Sequence, residues 1–325
     1  MLHTTTTKFR TGALALLTGA VLLGTTACGG QSLSETEPAG DGGRAAAVEF
    51  MPVPDEDLAQ SVLESIEVNE ELAKLVPDAI RSEGLKAVTS VGYPPMEEWG
   101  TNGKDIIGVD PAIAHGIART LGLKMTLVDQ EFNSMIPGLM SGRYDMLLSS
   151  MTDTPERQET TTFVDYVSAG NAFLVAAGNP EKIAAPADLC GKIVAVVDSG
   201  SSAGLADGFS ADCEAAGEAP YEILKFDGDS GANLAVQSGR AVATITDYPV
   251  AAARAAIAEN EQTAVQIEGD ESLWGIGIDK KNTELVDAVQ AALQAMIDNG
   301  DYEKILTAWN VEGMAIDTAL VNGGK

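Results

Sequence analysis

Histidine is almost missing from this chain: His3 and His115 are the only two among 325 residues. A Ser–His–Asp nucleophilic set and a histidine-rich metal centre are therefore poorly provided for. Cysteine is equally sparse, at Cys28, Cys190 and Cys213. No Gly-x-x-x-x-Gly-Lys-Ser/Thr run occurs, which excludes nucleotide hydrolysis by a P-loop. Positive charge is scarce too. Twenty Lys and Arg stand against 48 Asp and Glu, a formal net charge of −28, so nothing offsets the repulsion of a phosphate backbone and nucleic acid is excluded as a partner. Such an acidic balance is explained by a solvated surface or by attraction of a cationic ligand. Beyond the first two dozen residues, no stretch is apolar for the length that a membrane-spanning helix needs.

The opening residues carry a targeting pattern. Lys8 and Arg10 precede an uncharged run from Thr11 to Gly24, about 14 residues long, which suits a signal-peptide core and falls short of a span. Thr25-Thr26-Ala27-Cys28 then places small residues directly before a cysteine, which resembles the bacterial lipobox, whose cysteine takes a diacylglycerol. The expectation is a lipoprotein signal over 1–27, lipidation at Cys28 and an extracytoplasmic location on the outer face of the cell membrane. The plainer alternative is an ordinary secretory signal cleaved near Ala27. Residues 28–50 are rich in Gly, Ser, Glu and Ala with no hydrophobic period and read as a flexible tether.

About 295 residues remain after processing, enough for two domains. With Cys28 set aside, Cys190 and Cys213 form an even pair in an oxidising compartment. A disulfide is the favoured reading, closing a loop of about 24 residues and contributing roughly 3 kcal/mol in the chain-entropy model. Two buried thiols or a metal site are the alternatives, and His115 has no close ligand spacing around it for the latter. No cofactor is expected.

Apolar residues from Leu58 to Ile80 recur at helical spacing and stop at Gly84. Strands and helices then alternate. Strands are predicted at 85–91, 124–128, 144–148, 172–175, 193–197 and 222–226, with helices at 111–121, 134–140, 231–238 and 249–259. This order implies an α/β fold of parallel sheets covered by helices. Ligands in such folds sit where strands end and loops lead into helices.

Three of those loops combine suitable residues. Ser149 to Arg157 offers hydroxyls, backbone N–H groups and a guanidinium whose fork matches a carboxylate. Asp198-Ser199-Gly200-Ser201-Ser202 opens a helix, where free N–H groups favour an anion. In Thr246-Asp247-Tyr248-Pro249, Asp247 either receives an ammonium or caps the helix. Singly, each is also an ordinary capping or turn sequence. Together they make a carboxylate site and an ammonium site, the complement of an α-amino acid.

From about Gly84 to Trp309 the chain resembles the solute-binding proteins (family 3) that serve polar amino-acid ABC importers. The residues that carry the resemblance are Tyr93-Pro94-Pro95-Met96, Gly108-Val109-Asp110, Phe132 with Ile136-Pro137, Ser149 to Arg157, Phe163 to Tyr166, Gly200-Ser201-Ser202, Ser238-Gly239-Arg240, Asp247, Gly275-Ile276-Gly277 and Ile305 to Trp309. One such motif alone is weak; the set in order is specific. The resemblance implies a two-lobed, type II periplasmic-binding-protein-like fold, each lobe a mainly parallel sheet flanked by helices, with ligand in the cleft. The lobes are placed at 51–176 plus 275–325 and at 177–274.

It further implies that Arg157 holds the ligand carboxylate with help from Ser150, Thr152, Ser201 and Ser202, that Asp247 takes the ammonium, and that Tyr93 and Phe132 enclose the side chain. Asp198 aligns near the ligand side chain. With Glu97, Glu98 and Trp99, it either contributes to selecting a cationic side chain or faces solvent. Trp274 is either a pocket wall or hinge packing. Ala112, Val242 and Met96 depart from the family pattern, and Met96 stands near the expected pocket.

The implied function is capture of a polar amino acid, cationic ones included, by a monomer that closes on it and delivers it to a permease with separate ATPase subunits. An enzyme on the same fold, such as a dehydratase using Glu156 or Asp198 as general acid, and a receptor feeding a membrane sensor are the alternatives.

Overall fold

The computed structural model describes residues 54–257 and 261–325. The signal sequence, Cys28 and the tether lie outside them, as does the last part of the helix expected at 249–259. Among the described residues, no helix is long and apolar enough to cross a membrane.

Three short helices come first: α1 (Gln60–Ser65), α2 (Glu70–Ala73) and α3 (Asp78–Glu83). The continuous apolar spacing of this stretch is interrupted twice. Ile66 turns extended after α1, Asn69 starts α2 afresh by accepting the N–H groups of Glu71 and Leu72 on its side chain, and Pro77 precedes α3. Leu63, Ile66, Val76 and Ile80 are buried in the main core. Each contributes about 1.5–3 kcal/mol of burial.

The first sheet-forming series runs β1 (Leu85–Thr89), a small hairpin of β2 (Glu98–Trp99) and β3 (Ile106–Ile107), α4 (Val109–Thr120), β4 (Met125–Asp129), α5 (Met135–Met140) and β5 (Met146–Leu147). After α6 (Pro155–Gln158), the long strand β6 (Thr161–Ala169) leads to Gly170 and on to β7 (Asn171–Ala176). The second series is β8 (Ile193–Val197), α7 (Ser201–Ala215), β9 (Glu222–Phe226), α8 (Asp229–Gln237) and β10 (Ala243–Asp247). It is followed by α9 (Tyr248–Ala256), β11 (Gln262–Gln266), β12 (Ser272–Asp279), α10 (Thr283–Asn299) and α11 (Asp301–Ala308).

One sheet has the order β4-β1-β5-β12-β6 and the other β11-β7-β10-β8-β9. The same unit is used twice. β1-α4-β4-α5-β5 and β8-α7-β9-α8-β10 each place the first strand in the middle of three parallel ones. Antiparallel strands complete each sheet, so both are mixed.

The lobe boundaries differ from the expected ones. β7, expected in the first lobe, pairs with β10 and β11 of the second, so the chain crosses at Gly170 and not after 176. It returns between β11 and β12, and residues 272–274, expected in the second lobe, pair with β6 of the first. Pairing partners are set by the whole sheet, which local sequence does not encode.

The main core packs α4, α10 and α11 against the first sheet, with Ile113, Ile117, Trp274, Leu293 and Ile305 fully buried. The second lobe has its own core around Phe173, Val194, Val196, Ala206 and Ile245. Cys190 and Cys213 are disulfide-bonded and join the loop before β8 to the C-terminal part of α7, as expected.

Candidate functional site

A cavity of about 650 Å³ lies between the two sheets, and the loops at the carboxyl ends of their parallel strands line it. The first lobe supplies Ser90–Tyr93 after β1, Asp129–Phe132 after β4 and residues of the loop after β5. The second supplies Val197 and Gly200–Ser202 after β8, Phe226–Gly231 after β9 and Thr246–Asp247 at the end of β10.

The loop after β5 is arranged around Arg157. Thr154 caps the single turn of α6 by accepting the N–H of Arg157 at 3.3 Å, and Pro155 starts it. The guanidinium donates to the Thr152 carbonyl at 2.8 Å and, across the cleft, to the Ser199 carbonyl at 2.9 Å. Its carbon lies 5.6 Å from the centre of the Phe132 ring, a cation–π distance. Burial pushes its pKa down, and the nearby carboxylates of Asp247, Glu156 and Asp153 push it back up. An arginine stays charged under these conditions.

Asp247 closes the other side. It is buried at the end of β10, where its carboxylate accepts the Tyr93 hydroxyl at 2.6 Å. Tyr93 comes from the first lobe and also meets the Thr246 hydroxyl at 3.0 Å. Burial raises the Asp247 pKa to about 7; Asp229 and Asp270 add to the rise, while Tyr93 and Arg157 oppose it. Thr152 donates to Ser201 across the cleft at 2.9 Å, and Arg254 on α9 reaches back to the Gly92 carbonyl at 2.9 Å. These cross-lobe bonds describe a closed arrangement.

Of the residues expected at the site, Arg157, Asp247, Thr152, Ser150, Ser201, Ser202, Tyr93 and Phe132 all line the cavity. Ser150 does so with its donors already engaged, since its N–H and hydroxyl both reach Asp110, at 2.6 and 3.2 Å. Asp198 is a correction. Its N–H completes the β8–β9 ladder at Phe226, and its half-exposed carboxylate lies 3.9 Å from Lys225, away from the cavity. Val197, one residue earlier, faces the cavity instead, because neighbours along an extended chain point to opposite sides. Met96 is also corrected: it is fully buried in the main core and absent from the cavity wall. Trp274 is core packing, and Trp99 is 42% exposed.

Sequence reasoning left the role of Glu97 open and did not single out Ser149 or Asp229. Glu97 is buried at the cavity wall and accepts the Ser149 hydroxyl at 2.7 Å. Burial first, and the facing Asp110 carboxylate second, push its pKa well up. Burial raises the Asp110 pKa to about 6, against the Tyr166 hydroxyl, which it accepts at 2.7 Å. Asp229 accepts the Thr246 hydroxyl at 3.2 Å and pairs with Arg254 at 2.5 Å. A visible signal for Glu97 was its place directly after the Pro-Pro-Met turn; its partner Ser149 lies 52 residues away in sequence, which no local pattern announces.

Glu156 is exposed and, like Asp198, absent from the cavity wall, so neither acid that a dehydratase reading would call upon faces a ligand there. Among the described residues, no His/Cys/Asp/Glu group could hold a metal.

The chain is 32% identical over 259 residues to the arginine-binding protein ArgT of Corynebacterium glutamicum, covering 78% of this chain and 83% of that one. Among solved structures it resembles an ancestral arginine-binding protein bound to arginine, at 31% identity and a TM-score of 0.64, over 69% of this chain and 97% of that one. It also resembles an ancestral amino acid-binding protein described as a precursor of cyclohexadienyl dehydratase, at 32% identity and a TM-score of 0.63, over 73% of this chain and 98% of that one. Residues 85–312, spanning both sheets and the cavity, match the family profile for bacterial extracellular solute-binding proteins, family 3, and the chain belongs to that family.

Proposed function

We propose that this protein is the lipid-anchored capture component of an ABC importer for polar amino acids, and that cationic ones, arginine foremost, are its ligands. The observation that carries this reading is the presence of Arg157 and Asp247 on opposite lobes of one cavity. A guanidinium suited to a carboxylate and a buried carboxylate suited to an ammonium complement the ends of an α-amino acid. Ser201 and Ser202, in the first turn of the 15-residue helix α7, add backbone donors on the carboxylate side.

Preference for a cationic side chain is supported by the rest of the wall. Asp129, Glu131 and Asp227 line it, whereas Arg157 is the only Lys or Arg among the lining residues. Relatives named as arginine-binding proteins agree with this. The ligand is enclosed by closure of the lobes, and the closed form delivers it to a membrane permease whose ATPase subunits are separate chains.

Calorimetry with L-arginine tests the anchor. Arg157→Ala is expected to weaken binding by about 100-fold or more, with an unchanged circular dichroism spectrum, because the ligand carboxylate is left buried without its partner. Binding as tight as in the wild type would overturn the reading. The lipid anchor rests on Cys28 following Thr25-Thr26-Ala27. Cys28→Ala is expected to move the protein from the membrane fraction to the medium while arginine affinity stays the same; retention in the membrane would remove the anchor from this account.

A further inference from the structure

The segment after Met314 runs back across the first lobe to the loop that carries Arg157. Ala319 is fixed to α10, its N–H donating to Gln294 at 3.0 Å and its carbonyl accepting from Gln290 at 2.9 Å. Val321 then forms an antiparallel bridge to Val164 on the outer edge of β6. The Asp165 N–H donates to the Leu320 carbonyl at 2.9 Å and the Asn322 N–H to the Phe163 carbonyl at 3.0 Å. The Asn322 side chain accepts the Phe163 N–H at 2.8 Å.

Two glycines carry the segment to the site loop. Gly323 N–H donates to Asp165 at 2.9 Å, and Gly324 N–H donates to Asp153 at 2.9 Å. Gln158 then donates to the Gly324 carbonyl at 3.2 Å and to Asp153 at 2.9 Å. Asp153 and Gln158 are the residues just after Thr152 and just after Arg157. Gly324 is thus bonded to both ends of the turn from which the guanidinium extends.

The fit is close. A Cβ on Gly324 would overlap the Asp153 carbonyl oxygen, and one on Gly323 would stand 2.7 Å from the Asp165 carboxylate. Asp153 and Asp165 are both buried. Burial, and then the facing Asp153, raise the Asp165 pKa to about 7, while the Gly323 N–H lowers it. The Gly323 and Gly324 amides each donate to one of these carboxylates, and the Gln158 side chain adds a second donor to Asp153.

We propose that residues 321–324 form a strap whose Gly324, through Asp153 and Gln158, positions Arg157 for the ligand carboxylate. The strap touches no ligand itself. It rests on the reading of Arg157 as the carboxylate anchor, and it lies beyond the stretch 85–312 that matches the family profile.

The test is calorimetry with L-arginine on Gly324→Ala, Arg157→Lys and the double variant, at a temperature well below unfolding. Gly324→Ala is expected to lower affinity about tenfold when Arg157 is present. In the Arg157→Lys background its effect should shrink to less than about twofold, because residues that act through one another are not additive. A purely structural role would lower the melting temperature and leave affinity unchanged. Should Gly324→Ala fail to fold, Gln158→Met removes the other half of the bridge and is expected to give the same loss. Wild-type affinity in the folded variants, or an equal loss in both backgrounds, overturns the proposal. If Arg157→Ala itself binds normally, the anchor reading has failed; if only Gly324→Ala and Gln158→Met bind normally, the strap alone has failed.

Discussion

On the proposal that Asp247 receives the ligand ammonium, its carboxylate needs its charge only when a ligand is present. In the closed arrangement, burial and then Asp229 and Asp270 raise its pKa from 3.8 to about 7, against the Tyr93 hydroxyl and Arg157. A bound ammonium favours the ionised form, so below pH 7 binding must expel a proton. Affinity for L-arginine is therefore expected to be level above about pH 7 and to fall below it, by up to about tenfold per pH unit for one displaced proton. Stability of the ligand-free protein runs the other way. Between 3.8 and about 7 the folded state holds more of this proton than the unfolded chain, so stability falls as pH rises through that window. Calorimetry at pH 5.5–8 in buffers of different ionisation enthalpy measures both the affinity and the proton released, and tighter binding in acid would contradict this account.

The contrast between Asp247 and Asp198 marks what residue types reveal. Asp247 ends β10 and Asp198 directly follows β8, each shortly before a helix, and both are acidic. Asp247 is turned inward and meets Tyr93, while Asp198 sits one step out of phase and meets Lys225. Side-chain direction depends on where a strand stops relative to its pleat, which composition does not state.

At the level of elements, much was legible. β8 and β9 fall on the predicted residues, and α4, α5 and α9 start within two residues of expectation, since each has a strong period or a Pro near its start. The errors have physical causes. Hydrophobic spacing carried through Asn69 and Pro77 joined three helices into one, although both residues are helix starters. β7 was placed in the wrong lobe because its apolar sequence suits either sheet. The crossing is made at Gly170, where β6 ends and β7 begins, and only the pairing with β10 and β11 reveals it. The strap was invisible for another reason: residues 315–325 have no period, and their order comes from polar contacts with distant residues.

Over the whole molecule, charge and cavity point the same way. The chain carries a formal charge of −28, and carboxylates stand along the cavity wall. A field of that sign draws a cation towards the cleft and leaves a neutral zwitterion unaffected, and salt screens it within about 10 Å at 0.1 M. The same acidic surface is explained by solvation alone if the charge plays no part in capture. The two explanations separate in kinetics. With steering, the association rate of L-arginine falls several-fold as salt rises from about 10 mM to about 300 mM, while that of L-glutamine stays nearly level. Dissociation, governed under the proposed binding mode by buried contacts to Arg157 and Asp247, should change little for either ligand. Stopped-flow measurement of both amino acids across that range decides it. Parallel salt dependences would assign the charge to solubility and leave selection of a cationic side chain to the cavity wall alone.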